Sequence, residues 1–225
     1  MLTLALETSG ALCGVALCDE AGVVAERAFR HRMRLVERLT ADTDALLAEA
    51  GVRLTDVDAF AIDVGPGSYT GLRVGVMTAK TWAAVLGKPL AAVSSLEAAA
   101  APFACAEGVP VVAALRGRAG VLFAQAFEDG RPAPGRLAAG AYAPAALSAA
   151  AAPLVILAAS DYAEAEEARR ALEAAGARVV RGLAPPPRAG LIGRLGAMRV
   201  ARGETGDPLA VVPLYLSAPA IGPRP

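Results

Sequence analysis

One stretch combines residue types and spacing that could do chemistry: Val64-Gly65-Pro66-Gly67-Ser68-Tyr69-Thr70-Gly71-Leu72-Arg73-Val74-Gly75. It follows an apolar run, Asp58 to Val64, that reads as a buried strand, and it leads into a helix predicted over Val74 to Leu86 with Gly87 as its stop. A glycine-rich turn between strand and helix suits an anion, because glycines let the backbone approach closely and the helix N-terminus offers unpaired N–H groups. Ser68 and Thr70 are N-cap residue types. The same glycines would equally serve a purely structural turn that lets helix and sheet pack closely. The pattern is neither a P-loop nor a dinucleotide fingerprint, since no Gly-Lys-Ser/Thr follows and the glycine spacing differs. Asp63 is the one acid beside the motif, able to serve as a catalytic carboxylate or to brace the loop backbone. His31 is the single histidine, so a histidine-based metal centre is not expected. A Ser/His/Asp triad would have to use it, and nothing in the spacing brings it to Ser9 or Ser68. Cys13, Cys18 and Cys105 are an odd, sparse set that fits free buried thiols; Cys13 and Cys18 differ in strand parity and should face opposite sides.

The elements that must position these residues begin with a meander: strands at Leu2–Glu7, Leu12–Cys18 and Val23–Phe29, the first two joined by a turn at Thr8-Ser9-Gly10. Leu35, Val36, Leu39, Thr43, Leu46, Leu47 and Ala50 then recur at helical spacing from about Met33 to Ala50, before Gly51. Thr55 caps a short turn. The helix after the motif carries Gly71, Gly75, Ala79 and Ala83 four apart, so small residues line one face against the sheet or a partner helix. A strand at Lys88–Val93 and a Ser94-Ser95-capped helix from Leu96 to about Ala106 complete the first half. The second half opens with a hairpin, Val111–Leu115 and Val121–Phe127. Helices near Pro144–Ala150, Asp161–Ala175 and Ala189–Arg202, strands at Leu154–Ala158 and Arg178–Arg181, and a strand-like Val211–Leu216 follow. Two halves that each open with a hairpin and then alternate helix and strand imply a duplicated actin-like α/β fold of two subdomains, 1–106 and 107–216, whose last helix can pack back on the first; 217–225 is expected to be a disordered tail. A single doubly wound sheet is the rival architecture.

The chain has 225 residues, no net charge and 55% hydrophobic residues, inflated by alanine, which calls for closely approaching elements. Zero net charge disfavours a stand-alone nucleic-acid binder. Neither a basic leader nor a membrane-length apolar run is visible, so a cytoplasmic protein without membrane association is expected.

Ala5-Leu6-Glu7-Thr8-Ser9, the run from Gly65 to Gly75 continuing to Ala79-Lys80, Val93-Ser94-Ser95-Leu96-Glu97 and Pro213-Leu214-Tyr215-Leu216 together resemble the TsaB (YeaZ) family, relatives of the TsaD proteins in the actin-like ATPase superfamily. The likeness runs from Met1 to about Phe127 and more loosely to Leu216; the glycine-rich motif is the most specific part. Glu7 stands where the family usually has aspartate. The resemblance implies a role in making N6-threonylcarbamoyladenosine on the adenosine next to the anticodon, in tRNAs reading codons that begin with A. It implies binding to a TsaD-like transferase, cooperation with a TsaE-like ATPase, homodimerisation in isolation, and contact with tRNA only within the complex. In that reading the chain is a non-catalytic scaffold.

Within the superfamily, phosphates lie between two hairpin turns. The first survives as Glu7-Thr8-Ser9-Gly10. The second, Arg116-Gly117-Arg118, lacks an acid or hydroxyl, and Ala158-Ala159-Ser160-Asp161 lacks the glycine pair that would hold adenosine. No cofactor and no metal are therefore expected. The motif turn, with Thr8, Ser9, Gly65, Pro66, Gly67, Ser68, Thr70 and Gly71, remains the candidate anion site. The interface expected from the family is the motif helix, with Leu72, Arg73, Val74, Met77, Lys80 and Trp82, and the long helix, with His31, Leu35 and Leu39. The competing class is a stand-alone actin-like-fold enzyme, a glycoprotease-like peptidase or a phosphotransferase.

Overall fold

In a computed structural model of the chain, the residues described are 1–30, 34–103, 110–117, 120–149, 154–158, 162–181 and 189–217. His31, Cys105, Arg118, Ser160, Asp161 and the tail from 218 on, all named above, lie outside them.

Leu4 and Leu6 alternate with Thr3, Ala5 and Glu7 along β1 (Thr3–Glu7), and every one of these side chains is buried. A strand buried on both faces needs a layer on each side. β1 pairs antiparallel with β2 (Leu12–Cys18), which pairs with β3 (Val23–Arg30), and on its other side β1 runs parallel to β4 (Ala59–Gly65), followed by β5 (Leu90–Ser94). On one face α1 (Leu35–Glu49) and α2 (Tyr69–Leu86) bury Leu39, Leu46, Val76, Ala79 and Ala83 against Leu4, Leu6, Phe60 and Ile62. α3 (Ser95–Ala100) follows β5.

The second half forms a separate sheet, so the single-sheet alternative does not hold. β6 (Val111–Arg116) pairs antiparallel with β7 (Leu122–Glu128) and parallel with β10 (Leu154–Ala158), which is flanked by β11 (Val179–Arg181). The short β8 (Arg131–Pro132) and β9 (Gly140–Tyr142) both pair with β7. α4 (Pro144–Ala149) and α5 (Tyr162–Ala174) pack against each other.

The remaining face of the first sheet is covered from the far end of the chain. α6 (Ala189–Ala201) lies across β1, β2, β4 and β5 and buries Ala189 and Ile192 against Ala5, Ala16, Cys18, Ala61 and Val93. This is what the alanine-rich composition is for. A Cβ added at Gly196 would sit 2.4 Å from the Ala61 Cβ, and one at Gly193 would sit 2.5 Å from the Cys18 Sγ. The helix ends are tied by charge: Glu26 on β3 accepts the Gly190 N–H at 2.8 Å, and Arg199 donates to the Ala92 carbonyl and, at 2.6 Å, to Glu97. Burial lifts the Glu26 carboxyl above its usual range, against the opposing effect of the Gly190 N–H, and lifts the Cys18 thiol to about 11. Cys13 and Cys18 do face opposite layers, Cys13 toward α1 and Cys18 toward α6.

Four expectations are corrected. The motif helix starts at Tyr69, five residues before Val74, because Ser68 caps it and its early glycines sit against the sheet. The helix expected from Leu96 to about Ala106 gives way after Ala100 to a 3₁₀ turn at Ala101–Phe103, where Pro102 supplies no N–H. The turn at Leu54–Asp56 is capped by Arg53 and Asp56, with Thr55 inside it. Val211–Leu216 forms no strand: Pro213 lacks a donor, and the neighbouring β4 is paired on both sides.

Gly196→Val should lower the melting temperature by several degrees, an overpacking cost of about 1–3 kcal/mol, read by thermal unfolding. A carboxyl with a raised folded pKa contributes stability that is full at low pH and is lost as pH rises through that value. Glu26→Gln, which keeps an acceptor for Gly190, should therefore flatten that part of the stability–pH curve in denaturant titrations.

Candidate functional site

The C-terminal ends of the parallel strands β1, β4 and β5 meet at one point, where open α/β sheets place their sites. There β1 runs into Thr8-Ser9, β4 into the motif and β5 into the Ser94-capped α3. Glu7, Thr8, Ser9, Asp63 and Ser95 converge there, all buried.

Asp63 is the centre. Its carboxylate accepts from Ser9 Oγ at 2.8 Å, from Ser95 Oγ at 2.6 and 2.8 Å, and from the Gly65 N–H at 2.7 Å. Glu7 accepts from Ser9 N at 2.8 Å and lies 2.5 Å from Ser9 Oγ. The Ser9 carbonyl takes the Ser68 N–H at 2.7 Å, and Thr8 Oγ1 donates to the Gly71 carbonyl at 2.8 Å. Ser68 Oγ accepts from Gly71 N at 3.2 Å as the N-cap of α2; Thr70, the other candidate cap, lies inside the helix. Gly65–Pro66 is a cis peptide.

These contacts give the motif glycines a steric purpose. A Cβ at Gly67 would lie 2.4 Å from the Ser9 carbonyl oxygen. At Gly71 it would lie 2.0 Å from that of Thr8, and at Gly75 2.1 Å from Thr8 Oγ1. The Thr8–Ser9 turn thus fills the open side of all three, and the small-residue stripe faces the chain's own sheet. Of the alternatives for Asp63, the brace is what the geometry displays. Among the described residues no cluster of three His, Cys, Asp or Glu could hold a metal ion.

The sequence-derived interface residues separate into groups. Leu72 and Leu39 are fully buried and Leu35 nearly so; Leu35 and Leu39 pack in the core of the first sheet and Leu72 against Gly65, so none of the three lies on the exposed surface of the chain. Val74 and Trp82 are half-buried, Trp82 with its ring 6.2 Å from that of Phe60. Lys80 is engaged within the chain, donating to the Leu209 and Val211 carbonyls at 2.7 and 3.0 Å. Arg73 and Met77 remain on the exposed face of α2; Arg73 sits over the Tyr69 ring at 5.6 Å. Exposed Val36 on α1, Val85 on α2, and Tyr69 with Tyr215 were not singled out from sequence, where only the phase of each helix against the sheet could have distinguished them.

Two mixed sheets, with β1 of the first and β6 of the second each between an antiparallel and a parallel neighbour, define an actin-like α/β protein. The ROK hexokinase from Thermus thermophilus shares that fold, with a TM-score of 0.55 at 14% identity, covering 89% of this chain and all of that one. A Pseudomonas aeruginosa crystal structure described as similar to peptidase YeaZ superposes with a TM-score of 0.77 at 29% identity over 96% of this chain and 99% of that one. The family profile "TsaD: tRNA N6-adenosine threonylcarbamoyltransferase" matches residues 17–142. The chain is 38% identical over 120 residues to the tRNA threonylcarbamoyladenosine biosynthesis protein TsaB of Bacillus subtilis, covering 52% of each. It is 43% identical over 88 residues to a tRNA N6-adenosine threonylcarbamoyltransferase of Methylobacterium, covering 39% of this chain and 24% of that one. The chain thus spans about half, or less, of the length of these curated relatives. It belongs to the TsaD-related family, with the TsaB (YeaZ) proteins. Among the described residues no helix is long and apolar enough to cross a membrane.

Asp63→Ala would leave the Ser95 hydroxyl and the Gly65 N–H without their acceptor, while Ser9 keeps Glu7. It should cost about 3–5 kcal/mol, measured by denaturant unfolding. Ser95→Ala, which removes one of several donors, should cost roughly a third of that.

Proposed function

We propose that this chain is a non-catalytic subunit in the formation of N6-threonylcarbamoyladenosine in tRNA, binding and supporting a TsaD-like transferase. The observation that carries this is the use of the site's polar groups. Asp63, Ser9, Ser95, Glu7 and Thr8, which an actin-like enzyme would turn toward its substrate, are buried and bonded to one another and to the loop that starts α2. Their product is a placed helix, and the outer face of that helix carries exposed Arg73, Met77 and Val85; Val36 on α1 is exposed as well. Exposed apolar side chains on a fixed helix suit a partner surface. A TsaE-like ATPase, tRNA bound only within the assembly, homodimers in isolation, a cytoplasmic location and the division into subdomains 1–106 and 107–216 belong to the same reading.

The test is co-purification with a TsaD-like transferase, comparing wild type with Met77→Glu and Arg73→Glu, with circular dichroism to follow the fold. The expected result is folded variants that bind about tenfold or more weakly, as when charge is placed in an interface core. Undiminished binding by both variants would overturn the α2 assignment. ATP hydrolysis or peptide cleavage by the chain alone would overturn the non-catalytic role.

A further inference from the structure

We propose that Lys80 is a positioning residue for the partner surface: it hooks the C-terminal segment Asp207–Tyr215 across α2 as a strap, so that a TsaD-like partner meets helix and strap together. The inference rests on the docking reading above for the occupant, but its intramolecular half stands on separate contacts.

The strap is fixed at four places. Asp207 caps a 3₁₀ turn at Pro208–Ala210, its side chain accepting from Leu209 N at 2.9 Å, and the Lys80 ammonium donates to the carbonyls of Leu209 and Val211 at the turn's far end. A cation on the last carbonyls of a helical turn is both a charge-assisted bond and a favourable partner for the turn's dipole. Val211 packs against the core that α2 shares with the first sheet. Farther along, the Leu214 N–H donates to the Val64 carbonyl at 2.7 Å; the β4–β5 register shifts at that residue, which leaves this carbonyl outside the ladder. Finally the Tyr215 ring lies 4.8 Å from that of Tyr69, on whose face Arg73 rests. Burial, and then Tyr69, raise the Tyr215 hydroxyl's pKa.

A segment anchored by its backbone in this way still exposes apolar side chains: Leu209 is 61% exposed and Val212 68%, while Met77 on α2 is 58% exposed. The turn that carries Leu209 packs on α2. The sequence makes Val211–Leu216 a strand-like segment and Lys80 a direct partner contact; the geometry gives the two a joint role.

Hydrogen exchange by mass spectrometry on the full chain tests the intramolecular half. Lys80→Met should speed exchange in peptides covering 209–214 by about tenfold, leave β1 and β4 peptides unchanged, and be largely rescued by Lys80→Arg. Unchanged exchange at 209–214 would overturn the inference whatever the partner does. Transferase binding tests the surface. Lys80→Met, and a Leu209→Ser/Val212→Ser double variant with normal exchange, should each weaken binding several-fold. If Met77→Glu weakens binding and neither strap variant does, the composite surface is wrong and the α2 reading survives. If none of these variants has an effect, the docking reading itself fails. If the strap variants change only self-association, the occupant is a second copy of this chain and the partner assignment is overturned.

Discussion

The contact on which the rest depends is the closure of the Thr8–Ser9 turn over the motif glycines. Three successive approaches, at Gly67, Gly71 and Gly75, are too close for any Cβ, and they hold only because Asp63 collects donors from the turn, from α3 and from the loop itself. A buried carboxylate is tolerable when its oxygens are filled by donors, and here those donors come from three different elements. The network therefore joins the turn after β1, the end of β4 and the start of α3 at one atom pair, and the Ser9 carbonyl and Thr8 hydroxyl of the same turn hold the start of α2. The N–H groups of Gly65, Ser68 and Gly71 are engaged within the chain, and the space beside Gly67 and Gly71 holds protein backbone.

The same economy of space runs through the opposite layer. Alanines on the lower faces of β1, β2 and β4 meet glycines on α6, so that the helix settles directly on the sheet. Van der Waals contact over such short separations replaces the bulky side chains that an aromatic-poor sequence lacks. The cost of helical glycines, about 1 kcal/mol each, is offset by that approach.

Much of this was legible in the residues. Apolar runs bounded by turn residues located β1, β2 and β4, α1 repeats at helical spacing, and the stripe Gly71, Gly75, Ala79, Ala83 named the packed face of α2. Asp63 was visible as loop brace or catalyst, and only its donors, supplied from residues as distant as Ser9 and Ser95, separate the two. That Leu39 and Leu72 are buried was not legible, because the choice of inward face depends on where the sheet lies, which the helix's own sequence does not encode. Lys80 was read as a partner contact because its acceptors are backbone carbonyls 129 and 131 residues away, with no sequence signature at all. The final segment looked like a strand by composition, yet β4 already has neighbours on both sides.

The placement of α6 has a consequence for synthesis. The first sheet is made from residues 3–94, but among the described residues one of its two faces is covered mainly by residues 189–201, with Ala98 of α3 beside them. As the chain emerges N-terminus first, β1, β2, β4 and β5 can pair and receive α1 and α2 while their alanine face is still open to water. The intervening sheet must be produced before that face closes. The N-terminal half is thus the first to begin folding and among the last to finish, and a ribosome paused before Ala189 holds a half-roofed sheet.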